Sequence, residues 1–144
     1  MLTELFMYRN SPIELRFLSM AQAAEHMHRQ LINDQKMPLQ QRLEELIGRL
    51  PTDIKDALLS DPAKYIKAIK ENRNYFTHYN EKQANNAARL DEVQLLAEKM
   101  KIILLVIIFQ ELGIPDSRVS NIILKKGIYL FNYLIRPQSD QSPE

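Results

Sequence analysis

The residues best equipped for chemistry in this chain lie in one short segment, Arg73-Asn74-Tyr75-Phe76-Thr77-His78. Arginine presents a planar fork of donors that matches phosphate oxygens. Imidazole is the side chain able to take and return a proton near neutral pH. With an amide to hydrogen-bond the ring, these groups suit acid–base chemistry at a phosphate ester. Arg73 follows the apolar series Tyr65, Ile66, Ile69 and precedes Phe76, so it falls on a helix face where leucine would be expected. An unpaired guanidinium there is costly; it calls for a carboxylate, a set of carbonyls, or a phosphate ligand reached through a cleft. Five helical residues turn by about 140°, so Arg73 and His78 do not share a face. They flank a groove, meet after the helix ends, or meet across a symmetric dimer. Asn74, four residues before His78, can hydrogen-bond the imidazole and fix its tautomer.

A purely structural reading stands level with this one on spacing alone. Glu25 lies beside the apolar stripe of the first helix, sharing a face with Leu18 and Ala21, and is the obvious carboxylate for Arg73. It could instead pair with Arg29, four residues on. His78 could be a helix-end histidine favoured by the negative C-terminal dipole. Other catalytic equipment is missing: the three glycines form no phosphate loop, and there is no HExxH and no cysteine. His26 and His28 are two apart and point to different helix faces, so they make a poor metal pair and read as surface or boundary histidines. Neither a metal nor a cofactor is expected.

The elements that must position the segment are helical. Gly numbers only 3 and Trp is absent, while apolar residues recur at helical spacing over long stretches. Ser11-Pro12-Ile13-Glu14 reads as an N-cap, a proline at the first helical position and a capping-box glutamate. Ile13, Phe17, Met20, Ala24, Met27 and Leu31 then form one face, ending near Asn33-Asp34. A second helix spans about Pro38 to Leu50 on Leu39, Leu43, Leu46 and Ile47; Pro51 stops it, and Thr52-Asp53 caps a short turn through Leu59. The third opens at Ser60-Asp61-Pro62 and carries the Arg73–His78 segment. The fourth runs from about Ala87 to Leu112, with Leu90, Val93, Ala97, Met100, Leu104 and Ile107 as its seam and further apolar residues all round. Such a helix is the centre of a bundle or is partly covered by a second subunit. Gly113-Ile114-Pro115 stops it, and a fifth helix is predicted from about Asp116 to Leu134, with Val119, Ile122, Ile123, Ile128, Phe131 and Leu134 inward. The expected fold is an all-α bundle of four to five helices.

The chain has 144 residues, which suits a single domain over 1–136 with a polar, disordered tail at 137–144. Met1 to Asn10 reads as a lead-in, and the whole could be the C-terminal domain of a longer polypeptide. Lys+Arg at 19 against Asp+Glu at 18 excludes a global basic field, so any nucleic acid must be held locally. No signal peptide is visible, and the apolar run Ile102–Phe109 falls far short of the ~20 residues of a membrane span. A cytoplasmic protein off the membrane is expected.

The string Glu71-Asn72-Arg73-Asn74-Tyr75-Phe76-Thr77-His78-Tyr79-Asn80 resembles the R-x4-6-H signature of the HEPN (higher eukaryotes and prokaryotes nucleotide-binding) superfamily, with its polar residue directly after the arginine. It is similar to the ApeA-like branch in particular, where an Arg-Asn-aromatic run leads into Thr-His and another aromatic. The segment Phe17 to Arg29 also resembles that branch's first helix, including its glutamate, Glu25. The resemblance runs from about Pro12 to Arg136; the N-terminal domain that often accompanies the branch has no counterpart here. It implies a helical bundle that dimerises, with two motifs lining a shared cleft, and metal-free RNA cleavage in antiviral, abortive-infection or toxin systems. It assigns His78 as general acid and base, Arg73 to the phosphoryl charge and Asn74 to orienting His78 or contacting the phosphate. Tyr75, Thr77 and Tyr79 become substrate-binding residues for single-stranded RNA, the tyrosines as stacking faces or, equally, as core. Lys64, Lys67 and Lys70 could add local positive charge. Some members bind nucleotides or proteins without cutting, so a binding and dimerisation module remains the alternative, as does a plain helical interaction domain. A regulatory partner or parent domain would fit either of the first two.

Overall fold

The computed structural model describes residues 12–78 and 90–126, the side chain of Lys126 excepted. Six α-helices follow in order: α1 (Ile13–Leu31), α2 (Leu39–Gly48), α3 (Thr52–Leu58), α4 (Pro62–His78), α5 (Leu90–Glu111) and α6 (Asp116–Asn121), the last continuing as one π turn, Ile122–Lys126. There is no strand among the described residues. The fold is all-α, as expected, with one helix more than the four or five foreseen. The extra element is the short segment after Pro51, which stands as α3 because proline has no N–H to continue α2.

Proline sets four of the starts. Pro12, Pro38, Pro51 and Pro115 each sit just before a helix in extended conformation. Each carbonyl accepts a first-turn N–H, from Arg16 (3.1 Å), Arg42 (3.2 Å), Lys55 (2.9 Å) and Val119 (3.0 Å). Pro12 thus holds the cap position and not the first helical one; Ser11 lies outside the described residues. At α4 the side-chain cap does form: Asp61 Oδ1 accepts the Lys64 N–H at 3.1 Å, with Pro62 as the first helical residue. Gly113 ends α5 with φ +78, and the Gly113 and Ile114 N–H groups reach the carbonyls of Gln110 (3.0 Å) and Phe109 (3.1 Å). That is the Schellman pattern, which asks for a residue at ease in the left-handed region.

The central element is α5. It packs on α1, α2, α4 and α6, and buries Val93, Ala97, Met100, Ile103, Leu104, Val106 and Ile107. Leu90 departs from the expected seam: it is 54% exposed, one turn ahead of the first buried residue. The predicted stripes of α1, α2 and α4 do face inward, with Phe17, Leu43, Leu46 and Ile69 at most 1% exposed. In the last element Val119 and Ile123 are buried and Ile122 half-buried; Ile128, Phe131, Leu134 and the tail at 137–144 lie outside the described residues.

His28 is not a surface or boundary residue. It is 0% exposed, between Glu45 and a buried Arg42, whereas His26 is exposed. Arg42 can only donate, so the 2.8 Å contact from its Nη1 makes His28 Nδ1 an acceptor. His28 Nε2–H then donates to Glu45 Oε2 at 2.6 Å. Arg42 also donates to the carbonyls of Asn33 (2.9 Å) and Gln35 (2.6 Å), tying the α1–α2 connection to α2. A guanidinium is tolerated inside because a ring, two carbonyls and, through the ring, a carboxylate answer it.

Two outcomes follow from these buried polar groups. Replacing His28 by Ala strands Arg42 and should cost about 3–5 kcal/mol in denaturant unfolding. Combined with Arg42→Met the loss should be clearly less than the sum of the single changes; simple additivity would dissolve the network. Tyr65 donates its hydroxyl to the Leu96 carbonyl at 3.0 Å, and burial pushes its phenol far above the usual range. The folded pKa exceeds the unfolded one, so this stabilisation is complete below about pH 10 and is lost as pH rises beyond it. Half-buried Lys99 is pushed down by desolvation and titrates with the opposite sign. Tyr65→Phe should lower stability by about 1 kcal/mol at neutral pH and flatten the alkaline decline. An identical decline in wild type and variant, by urea unfolding between about pH 8 and 11, would rule this out.

Candidate active site

The candidate site is the last turn and a half of α4. The helix persists through His78, so the option that Arg73 and His78 meet beyond its end is closed. They diverge around the axis by about 140°.

Arg73 faces α1. Its Nη2 lies 3.4 Å from Glu25 Oε1, with the two side chains 33% and 23% exposed. Glu25 is therefore the partner of Arg73 that was expected, and it pairs with Arg73 in preference to Arg29. The contact is single and long for a charge-assisted bond, so it holds Arg73 loosely. The polar residue α4 does bury is Asn72, at 1% exposed, whose Nδ2 donates to the Ala68 carbonyl at 2.8 Å. It escaped notice because asparagine in a helix normally reads as surface; a buried one needs a local carbonyl such as this.

The aromatics fix the rotation of the turn. Phe76 meets Phe17 of α1 edge-to-face at 5.8 Å between centroids, and Tyr75 meets Phe76 in the same manner at 5.3 Å. Tyr75 is half-buried, while Thr77 and His78 are exposed. Tyr79 lies outside the described residues.

Asn74, about 100° further round the helix, turns away from the α1 side. It lines a groove of about 470 Å³ between α2 and α4, with Gln40 and Glu44 on one wall, Ala63, Lys67, Lys70 and Glu71 on the other, and Ile66 as an apolar floor. Lys67 and Lys70 were foreseen as local charge, whereas Lys64 is exposed and outside this groove. Gln40 and Glu44 were missed; their spacing of four on the polar face of α2 is the only trace they leave in the sequence. Six candidate residues thus divide: Arg73 to the α1 side, Asn74 to the groove, Tyr75 half-inside, Thr77 and His78 to solvent, and Tyr79 undescribed. No group of three or more His, Cys, Asp or Glu able to hold a metal ion occurs among the described residues. None of the described helices is long and apolar enough to cross a membrane.

Because the Glu25–Arg73 pair is partly solvated, a double-mutant cycle with Glu25→Gln and Arg73→Ala should give a coupling below about 1 kcal/mol in thermal unfolding. A coupling of several kcal/mol would make Arg73 chiefly a structural residue.

Compared with known proteins, the chain matches the family model described as Apea-like HEPN over residues 10–118. No curated protein and no solved structure matches it. The matched span takes in α1 through α5 and the first residues of α6, and so contains Arg73, Asn74, His78 and Glu25. It stops short of Arg136, where the sequence resemblance was drawn to end. Matched over the greater part of its length, the chain belongs to the ApeA-like HEPN family.

Proposed function

We propose that this domain is a metal-independent endoribonuclease that acts as a homodimer on single-stranded RNA, in a defence or toxin system. One observation carries the reading: within an ApeA-like HEPN chain, the full Arg73-Asn74-His78 set lies on the last turn and a half of one helix whose final residue, His78, is open to solvent. An exposed imidazole can reach a polymeric substrate. It would take the proton from a ribose 2′-OH as that oxygen attacks the adjacent phosphorus. The bond to the 5′-oxygen breaks, that oxygen receives a proton, and a 2′,3′-cyclic phosphate remains. Arg73 would stabilise the charge on the non-bridging oxygens. Asn74, on the His78 face, would orient the ring.

The divergence of Arg73 and His78 supports two copies. One helix cannot turn both groups onto one phosphate, whereas antiparallel apposition of two α4 ends sets each His78 near the other copy's Arg73. The second reading, a non-catalytic nucleotide-, RNA- or protein-binding module, draws on the Glu25–Arg73 pair: a guanidinium already answered by a carboxylate has a structural role to fill.

The deciding experiment incubates wild-type and His78→Ala protein with mixed RNA in excess EDTA. Cleavage with 2′,3′-cyclic ends is expected from wild type, with a loss of at least about 100-fold in the variant, the usual scale of acid–base assistance. Cleavage that survives His78→Ala would remove His78 from the chemistry, and none from either would move the assignment to the binding module.

A further inference from the structure

The α2–α4 groove has a charge pattern that the motif alone does not explain. On the α4 wall, Lys67 leans towards Glu71 at 3.9 Å, whereas Lys70 has no ion pair among the described residues. On the α2 wall, Glu44 Oε1 accepts from Gln40 Nε2 at 3.0 Å, and its carboxylate meets no cation among the described residues. One unanswered positive group and one unanswered negative group thus line the same groove from opposite helices. Ile66, only 5% exposed, gives it an apolar floor. A volume of about 470 Å³ lies within the range of small-ligand sites.

A bare phosphate would satisfy Lys70 but be repelled by Glu44 and Glu71. A cationic side chain would meet the reverse problem at Lys67 and Lys70. The complementary ligand carries an anion at one end, adjacent N–H donors at the other and a flat apolar face between. A nucleotide has this form. Among the bases, guanine alone sets two neighbouring donors, N1–H and the 2-amino group, side by side where one carboxylate can accept both. Adenine and cytosine offer a single amino group on that edge, and uracil a single imino N–H. The Gln40 and Asn74 amides can serve the remaining acceptor, the guanine O6.

Asn74 joins the groove to the motif, and His78 lies one turn further along its face. From Lys67 to Asn74 is about 10 Å along the axis, roughly the reach of one nucleotide. We infer that the α2–α4 groove is a guanine-selecting subsite, seating the nucleotide next to the one cleaved, with Lys70 on its phosphate and Glu44 on its base. The inference rests on the ribonuclease reading for its place along an RNA strand; the recognition of guanine does not.

The test is a 15N-edited NMR titration of the full chain with GMP, AMP, CMP and UMP. It is repeated with 2′-O-methyl RNA tetranucleotides bearing one or no guanine, which lack the attacking hydroxyl. GMP should shift the amides around Glu44 and Lys70 and bind roughly tenfold or more tighter than UMP, the scale of one bidentate base contact. Glu44→Gln should erase that preference, and Lys70→Ala should weaken all four nucleotides alike; both sites are exposed, so the fold is retained. The guanine-bearing strand should shift both the groove and His78. Equal responses to the four nucleotides, or none, overturn the inference. Shifts from GMP but not from the strand overturn its placement on an RNA path. Guanine binding without RNA cleavage upholds the subsite and removes the ribonuclease reading, and cleavage without guanine binding does the reverse.

Discussion

The chain of α4 backbone hydrogen bonds runs unbroken to His78, and this continuity governs everything around the candidate site. A helix that kinked or unwound before His78 could fold the imidazole back onto Arg73. Here Tyr65, Ile66 and Ile69 hold the helix to the core, and Phe76 against Phe17 extends that hold to its last turn. Rotation about the helix axis is therefore fixed, and the angular positions of the motif residues are fixed with it. Arg73 must look to α1, Asn74 to the α2 groove and His78 out of the bundle. Chemistry that needs Arg73 and His78 at one phosphate has to find the second in another molecule or move the substrate between them.

The same bundle tolerates charge in its interior only where geometry answers it. Arg42 is the clearest case: its Nη atoms are bonded to His28, Asn33 and Gln35, while Nε is buried with no hydrogen-bond partner among the described residues. The network fixes the neutral-ring tautomer of His28 by the direction in which Arg42 must donate. It also ties the end of α1 to α2, and so sets the α1 face on which Glu25 waits for Arg73. A second set of polar links holds the opposite turns: Gln110 donates to the Arg49 carbonyl at 2.9 Å and to Asp116 at 3.1 Å, and Ser120 donates to Asp53 at 2.9 Å. Both sets lie at helix ends, where backbone groups need partners and apolar packing cannot supply them.

Apolar periodicity made the helices and their inward faces legible, because burial of a stripe leaves a period that few other arrangements share. The Gly113 stop and the Asp61 cap were legible for a similar reason, since each depends on one residue's local conformational preference. What escaped were features set by partners far away in the chain. His28 reads as a boundary residue until Arg42 and Glu45, 14 and 17 positions on, are brought against it. Asn72 has no periodic signature at all, and the Gln40–Glu44 wall has only a spacing of four on a polar face. Leu90 shows the converse error: the stripe of α5 continues one turn past the packing that gives it meaning. The motif itself was legible as a set of residue types, and Glu25 as the partner of Arg73, but which way the set divides, with Arg73 towards α1 and Asn74 and His78 on another side of the helix, was not. That division needed the knowledge that α4 stays helical to its last motif residue.

The pairing of Arg73 with Glu25 bears on both functional readings, and its strength decides how. A contact of 3.4 Å between side chains a third and a quarter exposed sits in a high effective dielectric. Pairs of this kind contribute up to about 1 kcal/mol, so the guanidinium is oriented and yet cheaply released. A phosphodiester carries the same single charge as the carboxylate, so exchange depends on its offering two oxygens to the guanidinium fork where Glu25 now offers one. Glu25 would then remain close by as a like charge, which disfavours any anion that does not engage the fork fully. The pair is thus too weak to commit Arg73 to a structural role alone, and sufficient to hold the guanidinium towards α1, so an anion would have to better one long contact to displace Glu25.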